Sequence, residues 1–370
     1  MTAREIMYFA PTPTPTLLRA RGAQCREKNN PGALKVGSFP CVRGGRSGCG
    51  PVALTAAIGM LVVVCNANAA EANWPLRPVR IIVPQSAGGQ TDLTARLLGP
   101  HLTERLGQPM VIDNRPGAGS MLGTDMVAKA APDGYTLLLL PSSITIFPSV
   151  YKSVPFDAVR DFAPVTMLTY YPNLVVVPAS LPVTSIKELI TLAKAKPGAL
   201  NFASGGTGTP TQFGAELLKL MTGIEIVHVP FKGGGPAIAA LLGSQVQLYF
   251  GPIATVVQLV GAGKLRALAV TSAKRSSVTP DVPTVAESGV PGFEQITWNG
   301  LSAPARTPPA IVARLVKEVN VVLKLPTIRE RFAAEGVEMG GIPPEQLAAN
   351  IKSEMEKWAK VARAAGIEPE

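Results

Sequence analysis

The chain is 370 residues long, 46% apolar and only 5% aromatic. At about 100–200 residues per domain, that length predicts two domains with a full hydrophobic core. Lys and Arg outnumber Asp and Glu by 35 to 25, but eight basic side chains against two acids fall within residues 1–69. The remainder carries the mild balance of an ordinary globular surface, and no long basic run is interleaved with aromatics, which excludes a nucleic-acid groove.

Cys25, Cys41, Cys49 and Cys65 all precede residue 70, so the body is expected to hold no disulfide and no cysteine metal site. His101 and His228 are the two histidines of the chain. A zinc site or a Ser-His-Asp triad would have to use one of them, and neither has a suitable neighbour in sequence. No metal and no cofactor are expected.

Residues 51–65 form an apolar run too short to span a bilayer comfortably. Arg43 and Arg46 precede it and Ala67-Asn68-Ala69 follows it, a pattern that predicts a secretory signal cleaved after Ala69 and a periplasmic destination. Residues 1–69 are therefore read as a leader.

From Trp74 onward, short apolar runs alternate with helical patterns. Val79–Val83 is the first predicted strand. The loop Pro84-Gln85-Ser86-Ala87-Gly88-Gly89-Gln90-Thr91-Asp92 joins it to a helix over 91–106. Glycines let backbone amides approach a ligand, and a helix start adds its positive end, so strand, glycine loop and helix make an anion site. Asp92 is read as a cap or loop brace rather than an acid–base group.

Met110–Ile112 is the next strand. Arg115-Pro116-Gly117-Ala118-Gly119-Ser120-Met121-Leu122-Gly123 then leads into a helix over 120–131. Its G-x-G-x-x-x-G spacing is one residue too long for a dinucleotide fingerprint, and Asp133 precedes a strand instead of ending one. The stretch is read as a tight turn bordering the cleft.

Further strands are predicted at Tyr135–Leu140, Leu174–Val177, Ile224–Val229, Val246–Phe250 and Leu265–Val270, with helices over 185–196, 211–222, 236–243 and 254–262. Strand–helix alternation with nearly continuous apolar strands indicates an α/β fold of mainly parallel sheets covered by helices. Asn201 to Pro210 supplies a second glycine loop ahead of a helix, with Gly205, Gly206 and Gly208 beside Ser204, Thr207 and Thr209. Phe231-Lys232-Gly233 follows the strand bearing His228, where Lys232 is either a cleft cation or a solvated loop lysine. Pro308-Pro309 and Pro344 open C-terminal helices. Leu347, Ile351, Met355 and Trp358 recur at helical spacing as a docking stripe, and Gly366 is a C-terminal stop.

Tyr170–Asn173 and Glu294–Leu301 read as crossings between lobes. They give an outer lobe of 74–172 plus 299–370 and an inserted lobe of 173–298. The two glycine loops then fall in different lobes, where they would suit a small molecule with carboxylates at both ends.

Eight segments occur in one order: Pro84–Asp92, Asp113–Gly119, Ala131–Tyr135, Ala195–Gly198, Asn201–Thr209, His228–Gly233, Gly263–Thr271 and Asp281–Thr284. Together they resemble the Bug receptors, extracytoplasmic solute-binding proteins of the tripartite tricarboxylate transporter type, across essentially the whole mature chain. The resemblance implies a two-lobed periplasmic-binding-protein fold, type II-like, with two hinge strands and an interlobe carboxylate held largely by backbone groups. Site residues carried over are Ser86, Ala87, Gly88, Gly89, Thr91 and Asp92 of the first loop, Ser204, Thr207, Gly208 and Thr209 of the second, and Ser142 and Ser143. Gly251 joins them, standing where many relatives have Asp; this departure favours a plain di- or tricarboxylate or an aromatic acid over an amino acid.

The function this predicts is a monomeric periplasmic receptor that performs no chemistry and delivers a small carboxylate to transporter membrane subunits. A ligand sensor for a two-component system is the alternative on the same fold. A secreted hydrolase or isomerase using Asp92 and Ser204 would lack a positioned base, and a purely adhesive protein would bind no small ligand.

Overall fold

The computed structural model describes residues 73–369; the expected signal segment, its cleavage site and the four cysteines lie outside the described residues. Strand β1 (Val79–Val83) pairs in parallel with β2 (Met110–Asn114) and β3 (Thr136–Pro141). Alternate residues of β1 face opposite ways, as a pleat requires. Val79, Ile81 and Val83 pack with Leu98 and Leu102 of helix α1 (Gln90–Leu106). Ile82 packs with Val127 of α2 (Met121–Ala128). Coverage on both faces is why Ile81, Ile82 and Val83 are apolar in succession, Arg80 at the strand start reaching out to Asp113.

The longest strand, β4 (Phe162–Pro178), has 17 residues and at about 3.3 Å per residue reaches roughly 55 Å. Its partners change midway. Phe162 to Pro172 pairs antiparallel with β9 (Ile296–Pro304), and from Asn173 onward the partners are β7 (Leu248–Pro252) and β8 (Leu265–Val270). Beyond β7 lie β5 (Leu200–Ser204) and β6 (Ile226–Pro230), in parallel. The two-residue β10 (Glu338–Met339) pairs with β4. The order β2-β1-β3-β9-β4-β7-β5-β6 is thus parallel at its edges and antiparallel in its middle. The expectation of mainly parallel sheets is corrected to a mixed one, because β4 crosses outward and β9 returns beside it.

Helices α3 (Ile186–Ala195), α4 (Pro210–Thr222), α5 (Gly234–Leu242) and α6 (Ile253–Gly261) fall within two residues of their predicted ends. C-terminal to β9, α7 (Pro309–Val322), α8 (Pro326–Ala334) and α9 (Pro344–Ala364) follow, each with a proline at its first turn. The sequence reading does not contain β5, β10, α8 or the full length of β4. The segment read as a return crossing is itself strand β9. Its sequence ITWNGLSAP is poor in strand formers, yet eight of its nine residues are buried between β3 and β4, so tertiary packing overrides propensity. Pro164 lacks a ladder donor, and the β4–β9 register slips just there.

Where β4 changes partners, three fully buried polar residues interlock. The Asn173 amide N–H donates to Thr271 Oγ1 at 2.8 Å, and that hydroxyl donates to the Gln295 carbonyl at 2.7 Å. Asn173 Nδ2 donates to Gln295 Oε1 at 2.8 Å. The apolar stripe of α9 docks as expected, in two places: Leu347 and Ile351 join the cluster of Ile82 and Leu138, while Trp358 and Val361 join that of Phe213 and Leu217.

Thr271→Val is expected to lower unfolding stability by about 1–3 kcal/mol, because it strands the buried Asn173 amide and Gln295 carbonyl. Urea titration against the unmodified chain checks this; an unchanged midpoint would mean that the triad contributes nothing.

Candidate functional site

A cavity of about 900 Å³ opens at the C-terminal ends of the parallel strands, the position at which α/β sheets bind ligands. Both predicted glycine loops line it, through Ser86 to Gln90 on one side and Gly205, Gly206, Thr207 and Thr209 on the other. Helices α1, α4, α5 and α6 all begin in its wall. Their unpaired amides and dipoles make the cavity favourable to anions.

The first loop is braced from behind. Gly88, at φ +81, donates its amide to Asp92 Oδ2 at 2.9 Å. Arg96 Nε donates to the same oxygen at 2.9 Å, and Asn114 Nδ2 donates to Oδ1 at 3.0 Å. Burial by itself would raise the Asp92 pKa. The hydrogen bonds from Arg96, Gly88 and Asn114 outweigh it and hold the carboxyl below its ordinary value. Asp92 is an ionised brace, as read from sequence. Thr91 Oγ1 lies 2.6 Å from Gln85 Oε1 and 3.1 Å from Asn299 Oδ1.

The second loop is similarly tied. Thr209 Oγ1 donates to the Gly206 carbonyl at 2.6 Å, the Gly205 amide to Thr211 Oγ1 at 2.9 Å, and the Gly208 amide to Gln212 Oε1 at 2.8 Å. Ser204 Oγ accepts from the Gly206 amide at 3.1 Å and lies 2.6 Å from His228 Nε2. The fold therefore brings a histidine onto the second loop, which the spacing in sequence did not foresee. Neither Ser204 nor His228 is in the cavity wall.

Of the anticipated site residues, Ser86, Ala87, Gly88, Gly89, Ser142, Ser143, Thr207 and Thr209 line the cavity, while Thr91, Asp92, Ser204, Gly208 and Gly251 do not. The first four of those five support the loops from behind. Gly251 is a packing position in β7: a Cβ there would come within 2.7 Å of both the Tyr249 ring and Val256.

The two sides of the cavity touch. Tyr151 Oη donates to the Thr207 carbonyl at 3.1 Å, and a Cβ on Gly119 would lie 2.5 Å from that same oxygen. Gly119 also sits at φ +63, so glycine alone fits this approach. The Arg115–Gly123 turn does border the cavity, through Pro116 to Ser120.

Sequence reasoning missed Gln90, Tyr171, Tyr249, Thr297 and Asn299, all in the wall. Burial pushes the Tyr171 and Tyr249 phenols above their ordinary range, leaving them neutral donors. Thr297 and Asn299 are alternate residues of one strand, a signal visible only once β9 is recognised as one. Lys232 is the one charged side chain in the wall among the described residues. Also among the described residues, no cluster of three or more His, Cys, Asp or Glu could hold a metal, and no helix is long and apolar enough to cross a membrane.

His228 stacks on Phe202 with ring centroids 4.9 Å apart. Burial, with a lesser contribution from Lys219, lowers its pKa from 6.5 to about 4. A histidine depressed in this way stabilises the fold above its unfolded pKa, and that contribution is lost as pH falls from 6.5 toward 4. Thermal melts from pH 7.5 to 4.5 are expected to show this acid loss in the unmodified chain and a smaller one in His228→Gln; equal losses would contradict the burial of a neutral imidazole.

Comparison with known proteins accords with this architecture. The model of the tripartite tricarboxylate transporter family receptor matches residues 94–367. Protein BugT of Bordetella pertussis is 38% identical over 317 residues, which cover 85% of this chain and 97% of BugT. Among solved structures, R. palustris Rpa4515 with adipate is similar at a TM-score of 0.78 and 38% identity, over 80% of this chain and 100% of that one. The periplasmic binding protein BugD is similar at 0.76 and 36%, over 80% and 100%. The chain belongs to the family of tripartite tricarboxylate transporter receptors and has the fold of a periplasmic binding protein.

Proposed function

We propose that this protein is an exported receptor that closes around a small organic anion carrying at least one carboxylate and passes it to transporter membrane subunits. The observation that carries the reading is one cavity in which four helices begin and whose wall, among the described residues, has Lys232 as its single charged side chain and no acid. A free ammonium on the ligand would find no counter-charge there, which favours a plain carboxylate over an amino acid. The adipate in the Rpa4515 structure is of the same class.

The magnitudes are adequate without a metal. A helix terminus contributes about 0.3–1 kcal/mol and a hydrogen bond to a charged group about 1.5–3 kcal/mol. Four to six such bonds sum to about 6–18 kcal/mol, a range that reaches the ~8 kcal/mol of a micromolar complex before the entropy of association is subtracted. Residues 74–172 plus 299–370 act as one lobe and 173–298 as the other, turning about the Asn173–Thr271–Gln295 junction. Ligand shifts this equilibrium because it touches both sides only when they meet. The Tyr151–Thr207 and Gly119–Thr207 contacts support such a closed form. Export removes the leader after Ala69, so the N-terminus of secreted protein is expected at Ala70.

The test is a thermal-shift screen of the mature chain against mono-, di- and tricarboxylates and amino acids. A ligand at a hundred times its Kd is expected to add about 2.7 kcal/mol of stability and to be recovered chemically unchanged. Turnover, or no stabilisation by any carboxylate, overturns the reading. Lys232→Met is expected to weaken dicarboxylates about ten- to a hundredfold, the worth of one charge-assisted contact of about 1.5–3 kcal/mol, while leaving monocarboxylates within twofold. Equal losses for both classes would remove Lys232 from the ligand's distal end.

A further inference from the structure

Most buried amides of this protein are satisfied within it. Gln212 accepts from the Gly208 amide at 2.8 Å, and Gln295 from Asn173 at 2.8 Å. Gln90 is the exception in the cavity wall. It is the first residue of α1, 3% exposed, and neither its Oε1 nor its Nε2 has a hydrogen-bond partner in the protein. Ser142 and Ser143, 4% and 1% exposed, share the wall, and their hydroxyls are also unpartnered. The loops bearing these residues leave adjacent parallel strands, β1 and β3, at the same end. Buried polar atoms left unpaired inside a binding cavity are complementary to the missing partner.

Donors and acceptors separate the candidates. A carboxylate oxygen only accepts; it can take a hydrogen bond from Gln90 Nε2 or from either serine, but it gives nothing to Gln90 Oε1. An ammonium would donate, but the wall offers it no acid. A hydroxyl does both, donating to the amide oxygen and accepting from the amide nitrogen or a serine. A hydroxyl is complementary to either orientation of the amide, because both its atoms are unpartnered.

The geometry points to Gln90 as a specificity-determining residue that reads a hydroxyl near the ligand's carboxylate, so that the preferred ligand is a hydroxycarboxylate. This rests on the carboxylate reading above and narrows it.

The test uses acids of equal charge and carbon count that differ by one hydroxyl: malate against succinate, and citrate against tricarballylate, titrated calorimetrically into the mature chain. The hydroxy member of at least one pair is expected to bind tenfold or more tighter. In Gln90→Leu, close in size and without the amide, that ratio is expected to fall to about one. Gln90→Ala repeats the measurement should leucine disturb the helix start, with the ligand-free melting temperature as the folding control. Equal affinities within both pairs, a ratio unchanged in the variants, or binding restricted to hydroxyl-free acids such as adipate overturns the assignment and leaves the receptor reading standing. Failure of every carboxylate to bind overturns both.

Discussion

The passage of one uninterrupted strand through two sets of partners is the constraint on which this molecule depends. Because β4 is continuous, everything that pairs with Phe162 to Pro172 is held in register with everything that pairs from Asn173 onward. The helices that begin beyond β1, β5, β6 and β7 are thereby aimed into one space. The cost of such a crossing is buried backbone at the change of partners, and the Asn173–Thr271–Gln295 bonds satisfy it without a charged group. Neutral bonds of this kind hold direction without the desolvation penalty of a buried ion pair.

The loops at the strand ends divide their labour. Their glycine amides are largely committed to the protein itself: Gly88 to Asp92, Gly205 to Thr211, Gly208 to Gln212. A loop so tied is preorganised and loses little entropy when a ligand arrives. What it leaves open are side-chain groups, Gln90 with Ser142 and Ser143, set in a field of helix N-termini. Under the proposed function, general affinity for an anion and discrimination among anions would come from different atoms.

Much of this was legible in the amino-acid order, and the reasons for the rest are physical. Helix limits were visible because proline and glycine punctuate them, as at Pro210, Pro309 and Pro344. β1, β3 and β8 were visible because their buried stretches are apolar, with one arginine each in β1 and β8 near the strand start. β9 was not, since Asn299, Gly300, Ser302 and Pro304 read as a loop until β3 and β4 close on either side. The glycine loops announced an anion cavity, and Asp92 was rightly seen as a brace. Gln90 gave no such announcement, because a glutamine in the first turn of a helix ordinarily faces water. Only burial distinguishes it. The meeting of Ser204 with His228 was equally invisible, as it depends on β5 and β6 lying side by side.

The indole of Trp298 lies one residue from Asn299 in the cavity wall, and its Nε1 donates at 2.9 Å to Glu354, a carboxylate that burial above all pushes up in pKa. The same carboxylate accepts from Thr145 at 3.3 Å, at the end of the turn that carries Ser142 and Ser143. Of the three tryptophans, Trp74 and Trp358 sit in apolar clusters away from that wall. One buried carboxylate thus ties the crossing strand to the serine turn, and the two cannot shift apart without breaking a bond to Glu354.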